Sequence, residues 1–114
     1  MKTTILHNPR CSKSRETLQL LEEHGEEIEI VKYLDDIPTR EELENILSLL
    51  KIKPIELVRT KEAIWKEKYK DKDLSDKEVI ETMLEHPRLI ERPIVIKNNK
   101  AAIGRPPKQV LDIL

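Results

Sequence analysis

The chain opens on a strand–loop–helix–strand pattern, and no other feature restricts its fold as much. Thr3-Thr4-Ile5-Leu6 is a short β-branched and apolar run of the kind that forms a buried strand. The loop His7-Asn8-Pro9-Arg10-Cys11 follows. A helical stretch then covers about 12–24, with Leu18, Leu20 and Leu21 inward and Gly25 marking its end. Residues 28–33, Ile-Glu-Ile-Val-Lys-Tyr, begin with apolar alternation and read as a second strand. Strand, helix and strand in this order form a right-handed crossover with parallel strands. The loop at the C-terminal end of the first strand then lies where open α/β sheets carry their sites.

A long helical stretch comes next. Thr39-Arg40-Glu41-Glu42 and Ser75-Asp76-Lys77-Glu78 are both capping boxes. The first opens a helix with Leu43, Ile46, Leu47 and Leu50 inward. The second opens one with Val79, Ile80, Met83 and Leu84 on one face, ending at Pro87. Between them, Pro54 begins a short helix, and Ile64 and Trp65 anchor a Lys/Glu-rich segment. Strand signals return at Pro93-Ile94-Val95-Ile96, where the proline suits a strand start. Asn98-Asn99 is a two-residue turn, because Asn tolerates positive φ, and Ala101-Ala102-Ile103 is the return strand. Gly104-Arg105-Pro106-Pro107 opens a last helix, with Val110, Leu111 and Leu114 able to face inward. The order is β-α-β, an all-helical insertion over about 38–88, then β-β-α. That is the thioredoxin layout, an α/β fold with a mixed four-stranded sheet, carried by residues 1–114 as a single domain.

Cys11 is the only cysteine. It falls where a strand gives way to a helix N-terminus, beside unpaired N–H groups and the positive end of the helix dipole. Such a position favours the thiolate, the nucleophilic form, and Arg10, Lys13 and Arg15 push the same way. One cysteine excludes an internal disulfide and a Cys-rich zinc site, and no His/Asp/Glu cluster suggests another metal. No bound cofactor is expected.

Net charge is −1, which argues against a nucleic-acid partner. No apolar run approaches the roughly 18–20 residues of a membrane span, and the N-terminal apolar stretch is too short for a signal peptide. A soluble, cytoplasmic monomer is expected. The charge is nevertheless patterned. Lys and Arg are in excess over residues 1–20, 51–72 and 92–114, and Asp and Glu over 21–50 and 73–91. If the basic blocks meet in space, they create a positive site on a nearly neutral protein.

His7-Asn8-Pro9-Arg10-Cys11-Ser12-Lys13-Ser14-Arg15-Glu16-Thr17 resembles the active-site loop of the ArsC family, the glutaredoxin-coupled arsenate reductases, and most of all its short YfgD-like members. Arg92-Pro93-Ile94-Val95 and Gly104-Arg105-Pro106-Pro107 look like the family's later signatures, and Leu57-Val58-Arg59 resembles the segment with its other arginine. The likeness runs from Thr3 to Leu114. It implies a thioredoxin-like core with a helical insertion. It also implies that Cys11 is the nucleophile attacking arsenic, that Arg59, Arg92 and Arg105 bind the oxyanion, and that Pro93 is cis. Arg10 and Lys13 stand where the plasmid-type enzymes carry small residues.

A lone thiol also constrains chemistry. A thiolate can attack arsenate and expel water, giving a covalent Cys11 adduct. Internal cysteine relays need partners that this chain lacks, so the electrons must come from outside, most simply from glutathione as co-substrate, with glutaredoxin resolving a mixed disulfide. Guanidinium forks suit tetrahedral oxyanions, and Arg92 and Arg105 each precede a proline that restrains their backbone. Around the nucleophile, Arg15 reads as loop support. Ser14 either donates to the Cys11 sulfur or sits in the first helical turn. His7 either serves as a base for the thiol or shapes the loop. His24 and His86 have no catalytic role in this reading. Two rival functions fit the same fold: an Spx-like regulator that binds RNA polymerase, and a monothiol glutathione-dependent oxidoreductase without arsenate activity. Ser14, where many Spx-type proteins carry a second cysteine, disfavours an intramolecular switch.

Overall fold

The computed structural model describes residues 2–114 and divides into two compact units. One unit comprises the chain up to Asp36 together with Arg92–Leu114; the other is Ile37–Glu91.

The first unit is built on a four-stranded sheet. Its elements are β1 (Lys2–Leu6), α1 (Ser12–Glu23), β2 (Glu27–Val31), β3 (Ile94–Lys97) and β4 (Lys100–Ile103). The strand order is β2-β1-β3-β4. β1 and β2 run parallel, with Ile5 opposite Ile30. β3 pairs antiparallel with β1, Ile5 opposite Val95, and with β4, Val95 opposite Ala102. This is the mixed sheet expected from the order of apolar runs. Asn98 and Asn99 take the positive φ values of 52° and 61° that a tight hairpin needs.

Alternation along the central strands puts Ile5 and Val95 on one face, where they form a fully buried core with Leu21 of α1 and Val110. Leu18, Leu20, Ile28, Ala102, Ile113 and Leu114 pack around them. α1 ends at Gly25, whose φ of +71° lets the chain reverse while Glu26 N–H reaches the Leu21 carbonyl at 3.2 Å. Below that turn, Glu26 Oε1 accepts from Thr3 Oγ1 at 2.7 Å and from Lys97 Nζ at 2.6 Å, tying the end of α1 to β1 and β3.

Three details differ from the sequence expectations. β2 stops at Val31 rather than at residue 33, because Asp35 and Asp36 turn their N–H groups back to the Lys32 carbonyl. Ile30 and Leu111 remain substantially exposed, Ile30 because β2 is an edge strand. The last helix does not begin at Gly104 but runs as a 3-10 helix over Pro107–Ile113. Two successive prolines remove two N–H donors and push the preceding residue out of the helical region, and Pro106 is extended, with ψ of 162°.

The second unit contains α2 (Arg40–Leu50), α3 (Ala63–Lys68) and α4 (Asp76–Glu85), with 3-10 helices at Pro54–Leu57 and Pro87–Leu89. Both expected capping boxes form: Thr39 Oγ1 accepts from Glu42 N–H at 3.1 Å, and Ser75 Oγ from Glu78 N–H at 3.2 Å. Leu43, Ile46 and Leu47 of α2 and Val79, Ile80 and Met83 of α4 are buried. Trp65 is buried on α3, its ring centroid 5.6 Å from that of Tyr69. The segment departs from all-helical at one place. Val58 and Ile90 form an antiparallel bridge, flanked by Arg59 N–H to Leu89 O at 2.7 Å and Glu91 N–H to Leu57 O at 2.8 Å. This short pairing draws together the stretch before α3 and the stretch after α4.

Candidate functional site

The β1–α1 loop is fixed from below by a buried polar network. His7 N–H donates to Val31 O at 2.8 Å, extending the β1–β2 pairing by one residue. Ser14, in the first turn of α1, is fully buried. Its hydroxyl accepts from Asn8 N–H at 3.0 Å and lies 2.6 Å from His7 Nδ1, with donor and acceptor set by the His7 tautomer. Arg10 N–H donates to Asn8 Oδ1 at 3.0 Å, and Arg15 Nη1 reaches across to the Pro9 carbonyl at 2.9 Å. Of the two sequence readings of Ser14, these contacts describe an anchor for the loop. His7 is likewise engaged with Ser14. Burial, reinforced by the charges of Lys32 and Arg15, holds the His7 imidazole below its ordinary pKa and so favours the neutral ring.

The network delivers Cys11 to the N-cap of α1. Cys11 has extended φ and ψ of −95° and 123°, its N–H bonds Asn8 O at 3.0 Å, and its carbonyl accepts from Arg15 N–H at 3.0 Å. Its side chain makes no cap hydrogen bond and is partly exposed, and the first turn of α1 holds no acidic residue. The sulfur is therefore left to other partners, at the positive end of a helix that carries no compensating carboxylate there.

One partner comes from the far end of the chain. Arg105 Nη2 donates to Cys11 Sγ at 3.5 Å, while Arg105 Nε donates to the Arg92 carbonyl at 2.8 Å. The Arg92–Pro93 and Arg105–Pro106 bonds are both cis; the first was implied by the sequence resemblance and the second was not. Gly104 joins these segments. Its N–H donates to Pro93 O at 2.9 Å. A Cβ placed on it would lie 2.5 Å from Thr17 Oγ1 and 2.7 Å from Pro93 Cγ, so only glycine fits against both α1 and the proline. The first and last basic blocks thus meet at Cys11. Arg10 and Lys13 flank it on the exposed side, Lys13 at 3.7 Å from Glu16.

Arg59 belongs to the second unit. Its Nη1 donates to Glu62 Oε1 at 2.6 Å, and its Nε lies 3.6 Å from Glu91 Oε1. These two carboxylates were not singled out from the sequence, nor was the close fit of Gly104 against Thr17. The i,i+3 spacing of Arg59 and Glu62 was a visible signal for one of them. Among the described residues, no three His, Cys, Asp or Glu side chains gather as a metal site, and no helix is long and apolar enough to cross a membrane.

A mixed sheet of this order, with a single thiol at the start of the first helix and an arginine laid against its sulfur, defines a thioredoxin-like protein with one cation-flanked cysteine. Known proteins narrow that class. The model of the ArsC family matches residues 6–113, and the chain belongs to that family. It is 50% identical over 112 residues to the uncharacterized protein YfgD of Escherichia coli, spanning 96% of this chain and 94% of that protein. It is 47% identical over 116 residues to an arsenate reductase of Haemophilus influenzae, with both chains fully covered. Among solved structures, the arsenate reductase from Vibrio cholerae superposes with a TM-score of 0.95 at 48% identity, covering 100% of this chain and 98% of that one.

Proposed function

We propose that this protein reduces arsenate to arsenite through Cys11, with glutathione as the electron donor. The observation that carries the reading is the 3.5 Å contact between Arg105 Nη2 and Cys11 Sγ, a fixed guanidinium at the one available nucleophile. The names of the full-length relatives from Haemophilus influenzae and Vibrio cholerae support the substrate.

In this mechanism the Cys11 thiolate attacks arsenic, an S–As bond forms, and one oxygen leaves with protons as water. The helix N-terminus and Arg105 stabilise charge on the sulfur before attack and on the arsenic oxygens after it. Arg92 and Arg59 complete the oxyanion ligands, an assignment that rests on the family resemblance of their segments. His7, Ser14 and Arg15 hold the loop, and Pro93 shapes the backbone beside it. Glutathione then supplies the second sulfur. As the S–As bond breaks, its electron pair stays on arsenic, arsenite leaves, and Cys11 and glutathione are joined as a mixed disulfide. Glutaredoxin with a further glutathione restores the thiol. The cycle calls for a reducing, thiol-rich compartment such as the cytoplasm.

The test is turnover of arsenate with glutathione and glutaredoxin, beside Cys11→Ser and Arg92→Ala. Wild-type protein turns over, Cys11→Ser does not, and Arg92→Ala has a raised KM. Folded wild-type protein without arsenate turnover overturns the substrate; activity surviving Cys11→Ser overturns the mechanism.

A further inference from the structure

Ser14, Thr17 and Leu21 are buried on α1, and their spacing puts them on one face of the helix. Leu21 belongs to the core, and Ser14 anchors the loop that carries Cys11. Thr17 has neither task. It is fully buried, and its Oγ1 donates to the Lys13 carbonyl at 2.8 Å. A threonine in a helix divides between two rotamers, and a bond of this kind selects one of them. In that rotamer the side chain meets Gly104: the place of a Cβ there is 2.5 Å from Thr17 Oγ1 and 3.2 Å from Thr17 Cγ2. Gly104 is also tied through its N–H to Pro93 O at 2.9 Å. The next residue is Arg105, whose N–H donates to Ile103 O at 2.9 Å and whose guanidinium reaches both the Arg92 carbonyl and Cys11 Sγ. α1 therefore carries both sides of the thiol–guanidinium contact. Cys11 is its N-cap, and Thr17 is where the segment bearing Arg105 rests on it.

We infer that Thr17 is a positioning residue for the chemistry of Cys11: its side chain, locked by the Lys13 carbonyl, is the stop on which Gly104 seats, and it sets the reach of Arg105 to the sulfur. This rests on the proposed role of Arg105 in stabilising charge on that sulfur. The hydroxyl is the closer of the two Thr17 groups, and an oxygen needs less room than a methyl group. Valine keeps the branched outline but puts a methyl group at the tightest point, so it is not a neutral replacement. Serine keeps the oxygen and its bond to Lys13, and loses only the methyl group. A threonine that does no more than fill the core would affect stability in these variants and leave the reactivity of the folded thiol alone.

The experiment measures alkylation of Cys11 by iodoacetamide at neutral pH in folded full-length protein. The variants are Thr17→Ala, Thr17→Val, Thr17→Ser, Arg105→Ala and the double variant Thr17→Ala/Arg105→Ala, with urea unfolding of each alongside. Thr17→Ala and Thr17→Val are expected to slow alkylation about fivefold, part of the cost of losing a hydrogen bond to a charged group. Thr17→Ser is expected to stay within about twofold of wild type even where it loses stability, because it keeps the oxygen that meets Gly104. The double variant should be no slower than Arg105→Ala, because Thr17 acts through the guanidinium. Wild-type rates in folded Thr17→Ala and Thr17→Val overturn the positioning role. A loss from Thr17→Ala that persists on top of Arg105→Ala overturns it too, and so does a serine variant as slow as the alanine one. An unchanged rate in Arg105→Ala removes the action of that arginine on the sulfur, and the role of Thr17 with it. The rates are read without arsenate, so a wild-type protein that alkylates as expected but does not reduce arsenate overturns the substrate and not the positioning role.

Discussion

Arg105 and Cys11 are 94 positions apart in the chain, yet Nη2 of one donates to Sγ of the other at 3.5 Å. The contact depends on a side chain that is itself tethered through Nε to the Arg92 carbonyl, so the cation reaches the sulfur with little freedom left. Removing it should change how the thiol reacts even without arsenate present. Arg105→Ala is expected to slow alkylation of Cys11 by iodoacetamide at neutral pH by about tenfold, the scale of one lost hydrogen bond to a charged group. Arg105→Lys should recover only part of that rate, since a lysine cannot bond the Arg92 carbonyl and the sulfur with one rigid fork. Equal rates in all three proteins would show that the contact does not act on the thiol.

Gly104 is the joint on which that arrangement turns. Alanine there drives a methyl group into Thr17 and Pro93, at 2.5 and 2.7 Å, and overpacking of this kind costs about 1–3 kcal/mol. Gly104→Ala should lower the unfolding free energy by that amount, read as a fall in the urea midpoint at unchanged slope. It should also slow Cys11 alkylation, because the shifted segment carries Arg105. A variant with unchanged midpoint would mean that α1 and the proline yield freely.

His7 supplies a pH dependence whose sign is fixed by burial. Its folded-state pKa lies below the 6.5 of an ordinary imidazole, so between the two values the unfolded chain binds more protons than the folded one. The stability associated with neutral His7 is present above pH 6.5 and is lost as pH falls through that value toward the folded pKa. Urea unfolding of wild type and His7→Gln from pH 7.5 to 5 should show wild type losing more stability on acidification. Parallel curves would contradict the assignment.

Glu26 titrates in a lower window. Hydrogen bonds from Lys97 and Thr3 hold its carboxyl below the ordinary 4.5, so its contribution is present above that pH and declines as pH falls through the folded value. Glu26→Gln is expected to be less stable than wild type at pH 7, with the gap closing on acidification below 4.5. A gap independent of pH would point to shape rather than charge at that corner.

Much of this fold was legible because its signals are local. Thr39-Glu42 and Ser75-Glu78 form capping boxes within four residues, and Asn98-Asn99 forms a turn within two. The period-2 pattern of β1 and the glycine stop after α1 need no distant information. What was not legible depends on partners far along the chain. Nothing in the alternation of β2 says that it lies at the sheet edge, where Ile30 stays 48% exposed. Tandem prolines at 106 and 107 suited a helix start by rule, but they delay the helix to Pro107 and leave it 3-10. Cys11 stood out from its loop, and Arg92 and Arg105 from the prolines that follow them. The approach of Glu91 to Arg59 and the fit of Gly104 against Thr17 appear only when segments dozens of residues apart are folded together.

The tether between Arg105 Nε and residue 92 is a main-chain oxygen, and that changes what genetics can see. Replacing Arg92 deletes a guanidinium but leaves the carbonyl where it was, so a side-chain scan reads the side chain and passes over the carbonyl, the second group at that position. The second becomes visible only by editing the backbone, for instance by replacing the residue 92 carbonyl oxygen with sulfur, a weaker hydrogen-bond acceptor. Sequence tolerance at residue 92 is therefore a lower bound on how much that position matters.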